Sequence, residues 1–156
     1  MSLSIGQAAP DFTLYDSEKN QVTLSALKGQ NILLLFFPLA FTKTCTEELC
    51  HVRDNIGIYN EAAASVFGIS VDALHTLAKY KAEQQLNFTL LSDFNKDVSR
   101  SYDTIYEMFG YNMKGVSKRS AFVIDKEGIV RYAEVLENAG EVPDFEAIQQ
   151  VLANLK

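Results

Sequence analysis

The chain has 156 residues, 47% of them apolar and 22% charged, with a formal net charge of -6. That length fits one domain over residues 1–156, able to bury about 70% of the surface its unfolded chain exposes without help from disulfides. The acidic balance argues against a general binder of nucleic acid or anionic membrane, whose affinity would come from basic clusters.

Phe12 to Leu14 and Gln21 to Leu24 are short strand-like segments around the polar turn Asp16 to Asn20, which predicts an N-terminal hairpin. Ser25 to Gly29 reads as a helical turn or loop. Asn31 to Phe37 is a continuous apolar run of strand length, as expected for a central strand covered on both faces. From Thr44 to about Ala64 the pattern becomes helical. Cys45, Leu49, Val52, Ile56, Tyr59 and Ala63 recur in steps of four and three and form one core-facing stripe. Ser65 to Val71 predicts a second buried strand, and Asp72 a cap for a helix reaching about Gln85. Thr89 to Ser92 reads as a strand, Asp97 to Tyr102 as a short helix, and Tyr106 to Val116 as a loop. Ser120 to Ile124 and Ile129 to Val135 are strands joined by Asp125-Lys126-Glu127-Gly128, hence an antiparallel pair. Phe145, Ile148, Leu152 and Leu155 mark a C-terminal helix. Strands first alternate with helices and then close with a hairpin and a helix. This order predicts an α/β fold with a mixed central sheet and helices on both faces, a thioredoxin-like arrangement.

The chain reads as organised around FFPLAFTKTCTEELC, Phe36 to Cys50. Thr44 followed by Glu47 has the capping-box pattern, which makes Thr44 the expected N-cap and Cys45 the first helical residue. A sulfur there faces unpaired amides at the positive end of a helix, a setting that favours thiolate over thiol. Cys50, five residues on, points roughly 140° away around the helix, onto a polar flank with Glu47, Asp54 and Glu61.

Only two cysteines are present, and the opening MSLSIGQAAPDF has neither a basic n-region nor an apolar core. No signal peptide is expected, and a reducing, cytoplasmic setting follows. The sequon Asn87-Phe88-Thr89 is then read as unused. The longest apolar run, Ile32 to Phe37, is far too short to cross a membrane. Cys45, Cys50 and His51 diverge around the helix and no fourth ligand is suggested, so no metal site is expected. His51 and His75 read as solvated, and Arg53 as structural support through a carboxylate. Leu39, Phe41 and Phe109 to Met113 read as core in preference to an apolar entrance or dimer contacts.

Pro38, Thr42 and Cys45 fit the Pro-x-x-x-Thr-x-x-Cys motif, and Glu48 follows at the matching position. Arg119-Ser120-Ala121-Phe122-Val123-Ile124-Asp125 fits a second signature in which an arginine opens a late strand. On these residues the chain resembles the peroxiredoxins, the alkyl hydroperoxide reductase and thiol-specific antioxidant superfamily. The resemblance implies a cofactor-free thiol peroxidase acting on hydrogen peroxide and organic hydroperoxides, with peroxynitrite a further substrate. Cys45 would be the peroxidatic nucleophile, becoming a sulfenic acid. Thr42 would offer its hydroxyl to thiolate and peroxide, Arg119 its charge and donors, and the Thr44 and Cys45 amides further donors. Pro38 would shield the thiolate, and Glu48 orient or balance the arginine.

FFPLAFT before the cysteine, Leu90 to Phe94 and Gly140-Glu141-Val142 resemble the E-type one-cysteine group. Cys50 departs from that pattern and resembles the resolving cysteine of the Q-type group. Residues five apart in an intact helix have Cα atoms roughly 8 to 9 Å apart, beyond the reach of a disulfide, so resolution by Cys50 would require the first turns to unwind. A bystander Cys50, with an external thiol as resolver, is the alternative. Thioredoxin, a glutaredoxin-like protein or a low-molecular-weight thiol would be the reductant. A homodimer packed through loops around the active site is implied by E-type relatives. The competing functions are a thiol-disulfide oxidoreductase, which normally uses Cys-x-x-Cys, and a non-enzymatic binding or holdase module.

Overall fold

The computed structural model describes residues 3–155. A seven-stranded mixed sheet runs in the order β2-β1-β5-β4-β3-β8-β9. Its strands are β1 (Thr13–Asp16), β2 (Gln21–Thr23), β3 (Asn31–Phe36), β4 (Ala64–Ser70), β5 (Thr89–Ser92), β8 (Ser120–Ile124) and β9 (Val130–Val135). β3, β4 and β5 pair in parallel, while β8 runs antiparallel to β3. The expected hairpins β1–β2 and β8–β9 are both present. Among the described residues five helices accompany them: α1 (Lys43–Asp54), α2 (Ile56–Glu61), α3 (Leu74–Gln84), α4 (Asp97–Ser101) and α5 (Phe145–Asn154). A 3-10 turn spans Leu24–Leu27. Among the described residues, no helix is long and apolar enough to cross a membrane.

Every residue of β3 is buried, because the strand serves two cores. Leu33 and Leu35 face a layer holding Cys45, Leu49, Val52, Tyr59, Leu77, Tyr80, Ile148 and Leu152, contributed by α1, α2, α3 and α5. Ile32, Leu34 and Phe36 face the other layer with Phe12, Val98, Tyr102 and Phe122. The period-2 alternation of a strand makes one apolar run feed both. Gly68 of β4, paired with Leu35, leaves room for the side chains packed over it. A Cβ there would lie 2.7 Å from Leu90 and 3.3 Å from Phe37, so a side chain would force Leu90 to move and crowd Phe37.

Several sequence expectations change. The helical stretch from Thr44 is two helices, broken at Asn55 (φ -119°, ψ 20°), whose side-chain amide donates to the His51 carbonyl. Ala62, not Ala63, completes the buried stripe, because Ala63 turns to φ 55° past the end of α2. Asp72 does not cap α3; Ala73 is the N-cap, and no side chain bonds there. Tyr106 to Val116 is more than a loop. Its ends pair as a small second sheet, β6 (Ile105–Tyr106) with β7 (Val116–Ser117). Within it Tyr106 and Phe109 stack at 5.8 Å. Phe41, Tyr111 and Met113 are exposed, so the core reading of these residues fails, with Tyr111 at 99% exposure. Leu39 and Phe109 are half-buried.

Candidate active site

β3 ends at Phe36, which pairs with Ser120 at the start of antiparallel β8. That register brings Arg119 to the end of the sheet where the chain leaves β3 for the loop 37–42 and α1. Pro38 is buried in this loop, and its missing N–H suits the place where the strand ladder stops. Phe41 closes the loop at φ 66°, a conformation side chains rarely adopt. Its ring packs on Tyr80 of α3 with centroids 4.9 Å apart.

Helix α1 starts two residues earlier than the sequence pattern predicts. Thr42 is the N-cap (φ -94°, ψ 155°), without a side-chain capping bond. Cys45 is therefore the third helical residue, and Thr44 is already helical. The first ladder bond runs from the Thr46 amide to the Thr42 carbonyl at 3.0 Å. The amides of Lys43, Thr44 and Cys45 precede the ladder and lie at the positive end of the helix. Thr46 Oγ1 also donates to the Thr42 carbonyl, at 2.8 Å. Its one proton is thereby used, so in the 2.9 Å contact between Thr46 Oγ1 and the Tyr80 hydroxyl the tyrosine is the donor. Burial pushes the Tyr80 phenol up to about 12, which keeps that proton in place.

Cys45, Glu48 and Arg119 meet in the interior. Cys45 and Glu48 are fully buried and Arg119 is 2% exposed. One guanidinium holds three partners: Nη2 donates to Cys45 Sγ at 3.3 Å, Nη1 to Glu48 Oε1 at 2.6 Å, and Nε to the Ala139 carbonyl at 3.0 Å. Burial opposes the charge on Arg119, but Glu48 and Cys45 outweigh it and hold the guanidinium above its ordinary value. Burial pushes the Glu48 carboxyl up to about 7 against the opposing pull of Arg119. Glu48 Oε2 is buried and has no hydrogen-bond partner. A guanidinium on one sulfur, at the positive end of a helix, can stabilise a thiolate and the negative oxygen of a leaving group.

Thr42 reaches this neighbourhood differently from the expectation. Its hydroxyl donates to the Leu39 carbonyl at 2.7 Å, so its lone pairs, not its proton, are left for another partner. Cys50 lies on the same unbroken helix as Cys45. It is half-buried, packs against the core and donates its S–H to Gln84 Oε1 at 3.6 Å, so it is not on the solvated flank. Both cysteines are free of any disulfide. Arg53 pairs with Asp54 at 2.9 Å and donates to the Gln84 carbonyl at 2.7 Å, as expected of a structural support. His51 is exposed, yet its ring lies 4.7 Å from Phe145.

Sequence reasoning missed Asp72. Its Oδ2 accepts from the Ala40 amide at 2.8 Å and from the Ser70 hydroxyl at 2.7 Å. The carboxylate at the end of β4 thus anchors the loop ahead of Cys45. A cavity of about 150 Å³ lined by Ala8, Leu24, Ile32, Ile124 and Gly128 lies at the opposite end of β3 and gives no access to Cys45.

Residues 5–133 match the AhpC/TSA family. The chain belongs to that family. It is a peroxiredoxin, a thiol-dependent peroxidase that works through a cysteine. It is 38% identical over 156 residues to alkyl hydroperoxide reductase E of Mycobacterium tuberculosis, covering 98% of each chain. Among solved structures it resembles peroxidoxin BcpB of Mycobacterium tuberculosis at 29% identity and TM-score 0.86, covering 99% of each chain. Peroxiredoxin Q of Xanthomonas campestris resembles it at 28% identity and TM-score 0.81, over 97% of this chain and 96% of that one. The likeness to E-type and Q-type relatives agrees with the motif, and the fold agrees with the thioredoxin-like expectation.

Proposed function

We propose that Cys45 is the peroxidatic nucleophile of this peroxiredoxin, acting on hydrogen peroxide and organic hydroperoxides. The reading rests chiefly on the 3.3 Å contact from Arg119 to Sγ inside a fully buried site. The thiolate attacks the hydroxyl-bearing oxygen. An S–O bond forms, the O–O bond breaks, and the electron pair leaves on the distal oxygen, which takes up a proton. Sulfur is oxidised to the sulfenic acid and the peroxide is reduced to an alcohol or water. Arg119 and the amides at Thr44 and Cys45 stabilise both negative charges. Thr42 Oγ1 accepts a hydrogen bond from the O–H of the incoming peroxide while donating its own proton to the Leu39 carbonyl. Pro38 keeps bulk water from the sulfur, and Glu48 holds Arg119 in place. No cofactor is needed for this step.

Cys50 resolves the sulfenic acid as an intrachain disulfide once the first turns of α1 unwind and its bond to Gln84 breaks. Thioredoxin, a glutaredoxin-like protein or a small thiol then restores the dithiol. The cytoplasm supplies such reductants, and the chain works there as a homodimer packed through the exposed loops around Phe41 and Tyr111. Intact mass after one equivalent of peroxide tests the resolving step. A disulfide lowers the mass by about two units and a persistent sulfenic acid raises it by about sixteen. The native protein is expected to show the loss and Cys50→Ser the gain. A gain in both would assign resolution to an external thiol.

A further inference from the structure

We propose that Glu48 stores the proton that Cys45 gives up, so that the reduced site holds a thiolate, a guanidinium and a neutral carboxylic acid. This inference rests on Cys45 being the peroxidatic thiol and goes beyond a role for Glu48 in orienting Arg119.

Two acids, Cys45 and Glu48, share one cation, Arg119, and all three side chains are buried. With both acids ionised the site would carry a net negative charge in a medium that solvates it poorly. Retaining one proton makes the trio neutral. The surroundings decide which acid keeps it. The sulfur receives an N–H from Arg119 and lies at the start of α1, beside amides that precede the helical ladder. Glu48 receives one N–H on Oε1, while Oε2 finds no donor. A carboxylate with an unsatisfied buried oxygen is costly, and protonation removes that charge. The other ionisable groups acting here favour the same outcome or leave it unchanged. Glu134 on β9 adds negative charge felt by Glu48, burial pushes Glu48 up to about 7, and the Tyr80 phenol on α3 stays neutral. Tyr106 is also pushed above its ordinary value, first by burial, and remains neutral.

The arrangement keeps the site neutral through the reaction. Before attack it contains Arg119 as cation, Cys45 as thiolate and Glu48 as acid. Afterwards it contains the same cation, a sulfenic acid and the Glu48 carboxylate. One S–O bond has formed and one O–O bond has broken. Glu48 has lost one proton and the departing alkoxide or hydroxide has gained one. No proton is exchanged with bulk water in sum. If Glu48 were ionised throughout, each thiolate oxidised would draw one proton from the medium.

Proton uptake distinguishes the two cases. The reduced full-length protein is mixed with one equivalent of hydrogen peroxide at about pH 6 in weak buffer containing an indicator dye, with thiolate absorbance followed in parallel. The expected result is an initial thiolate signal and close to zero protons taken up per thiol oxidised, against one for Glu48→Gln. Uptake of one proton by the native protein overturns the proposal. So does zero uptake without a thiolate signal, because the sulfur itself then held the proton. Infrared difference spectra of the native protein supply a reading that does not depend on the variant folding. A protonated-carboxyl stretch should disappear on oxidation, and its absence or persistence contradicts the proposal. If reduced protein consumes no peroxide, the assignment of Cys45 fails first, which separates that failure from this one.

Discussion

The Tyr80 hydroxyl donates to Thr46 Oγ1 at 2.9 Å and so ties α3 to the first turn of α1. The same ring supports Phe41, which is held at positive φ. Replacing Tyr80 by Phe keeps the ring and removes the donor, at a cost of about 1 kcal/mol. The Thr46 to Leu49 amides should then exchange with deuterium several-fold faster, while α5 is unaffected. Unchanged protection of those amides would show that the hydroxyl contact does not hold the turn.

Asp72 acts on the loop before the site from just beyond the end of β4. Asp72→Ala leaves the buried Ala40 amide and the Ser70 hydroxyl without their acceptor, which should cost about 1–3 kcal/mol. The peroxidase rate should fall with it. Asp72→Asn, which keeps one accepting oxygen, should recover part of both losses. Denaturant melts alongside peroxide consumption check this.

Arg119→Ala removes the cation from two buried acids at once. Breaking a buried pair in this way costs about 3–5 kcal/mol, and losing the donor to sulfur should slow peroxide reduction by about 10²–10³. Arg119→Lys retains the charge but not the fork. It should regain stability more than rate.

Much of this site was legible in the sequence, though the helix around it was not. The Pro38, Thr42 and Cys45 spacing and the arginine that opens a late strand pointed to these partners through their resemblance to a family motif; periodicity alone would have left Thr42 a loop hydroxyl and Arg119 a surface ion pair. The break at Asn55 was hidden because Val52, Ile56 and Tyr59 keep helical spacing across it; a buried stripe does not report a local kink. Thr44 and Glu47 carry the capping-box letters, but the chain turns helical after Thr42, once Phe41 has taken its positive φ against Tyr80. Asp72 matches an N-cap by type, yet Ala40, thirty-two positions earlier, is the tertiary partner that claims it. The β6–β7 pair is two residues a side, too short for any alternation to register.

The Glu48 carboxyl also fixes the sign of a pH effect on stability. Its folded-state value, about 7, lies above its ordinary one of 4.5. Between those values the folded protein binds more protons than the unfolded chain, so the contribution of Glu48 is present at low pH and is lost as pH rises from about 4.5 to about 7. The expected loss is of the order of a few kcal/mol. Glu48→Gln should flatten this part of the curve of unfolding free energy against pH. An identical slope in native protein and variant would contradict the assignment.

The role of Cys45 as the peroxidatic sulfur is tested by the rate at which reduced protein consumes one equivalent of hydrogen peroxide, measured by stopped flow for the native chain, Cys45→Ser and Cys50→Ser. Cys45→Ser should abolish rapid consumption, while Cys50→Ser should retain the first turnover. Rapid consumption by Cys45→Ser, or its loss in Cys50→Ser alone, would place the chemistry on the other sulfur and contradict that role.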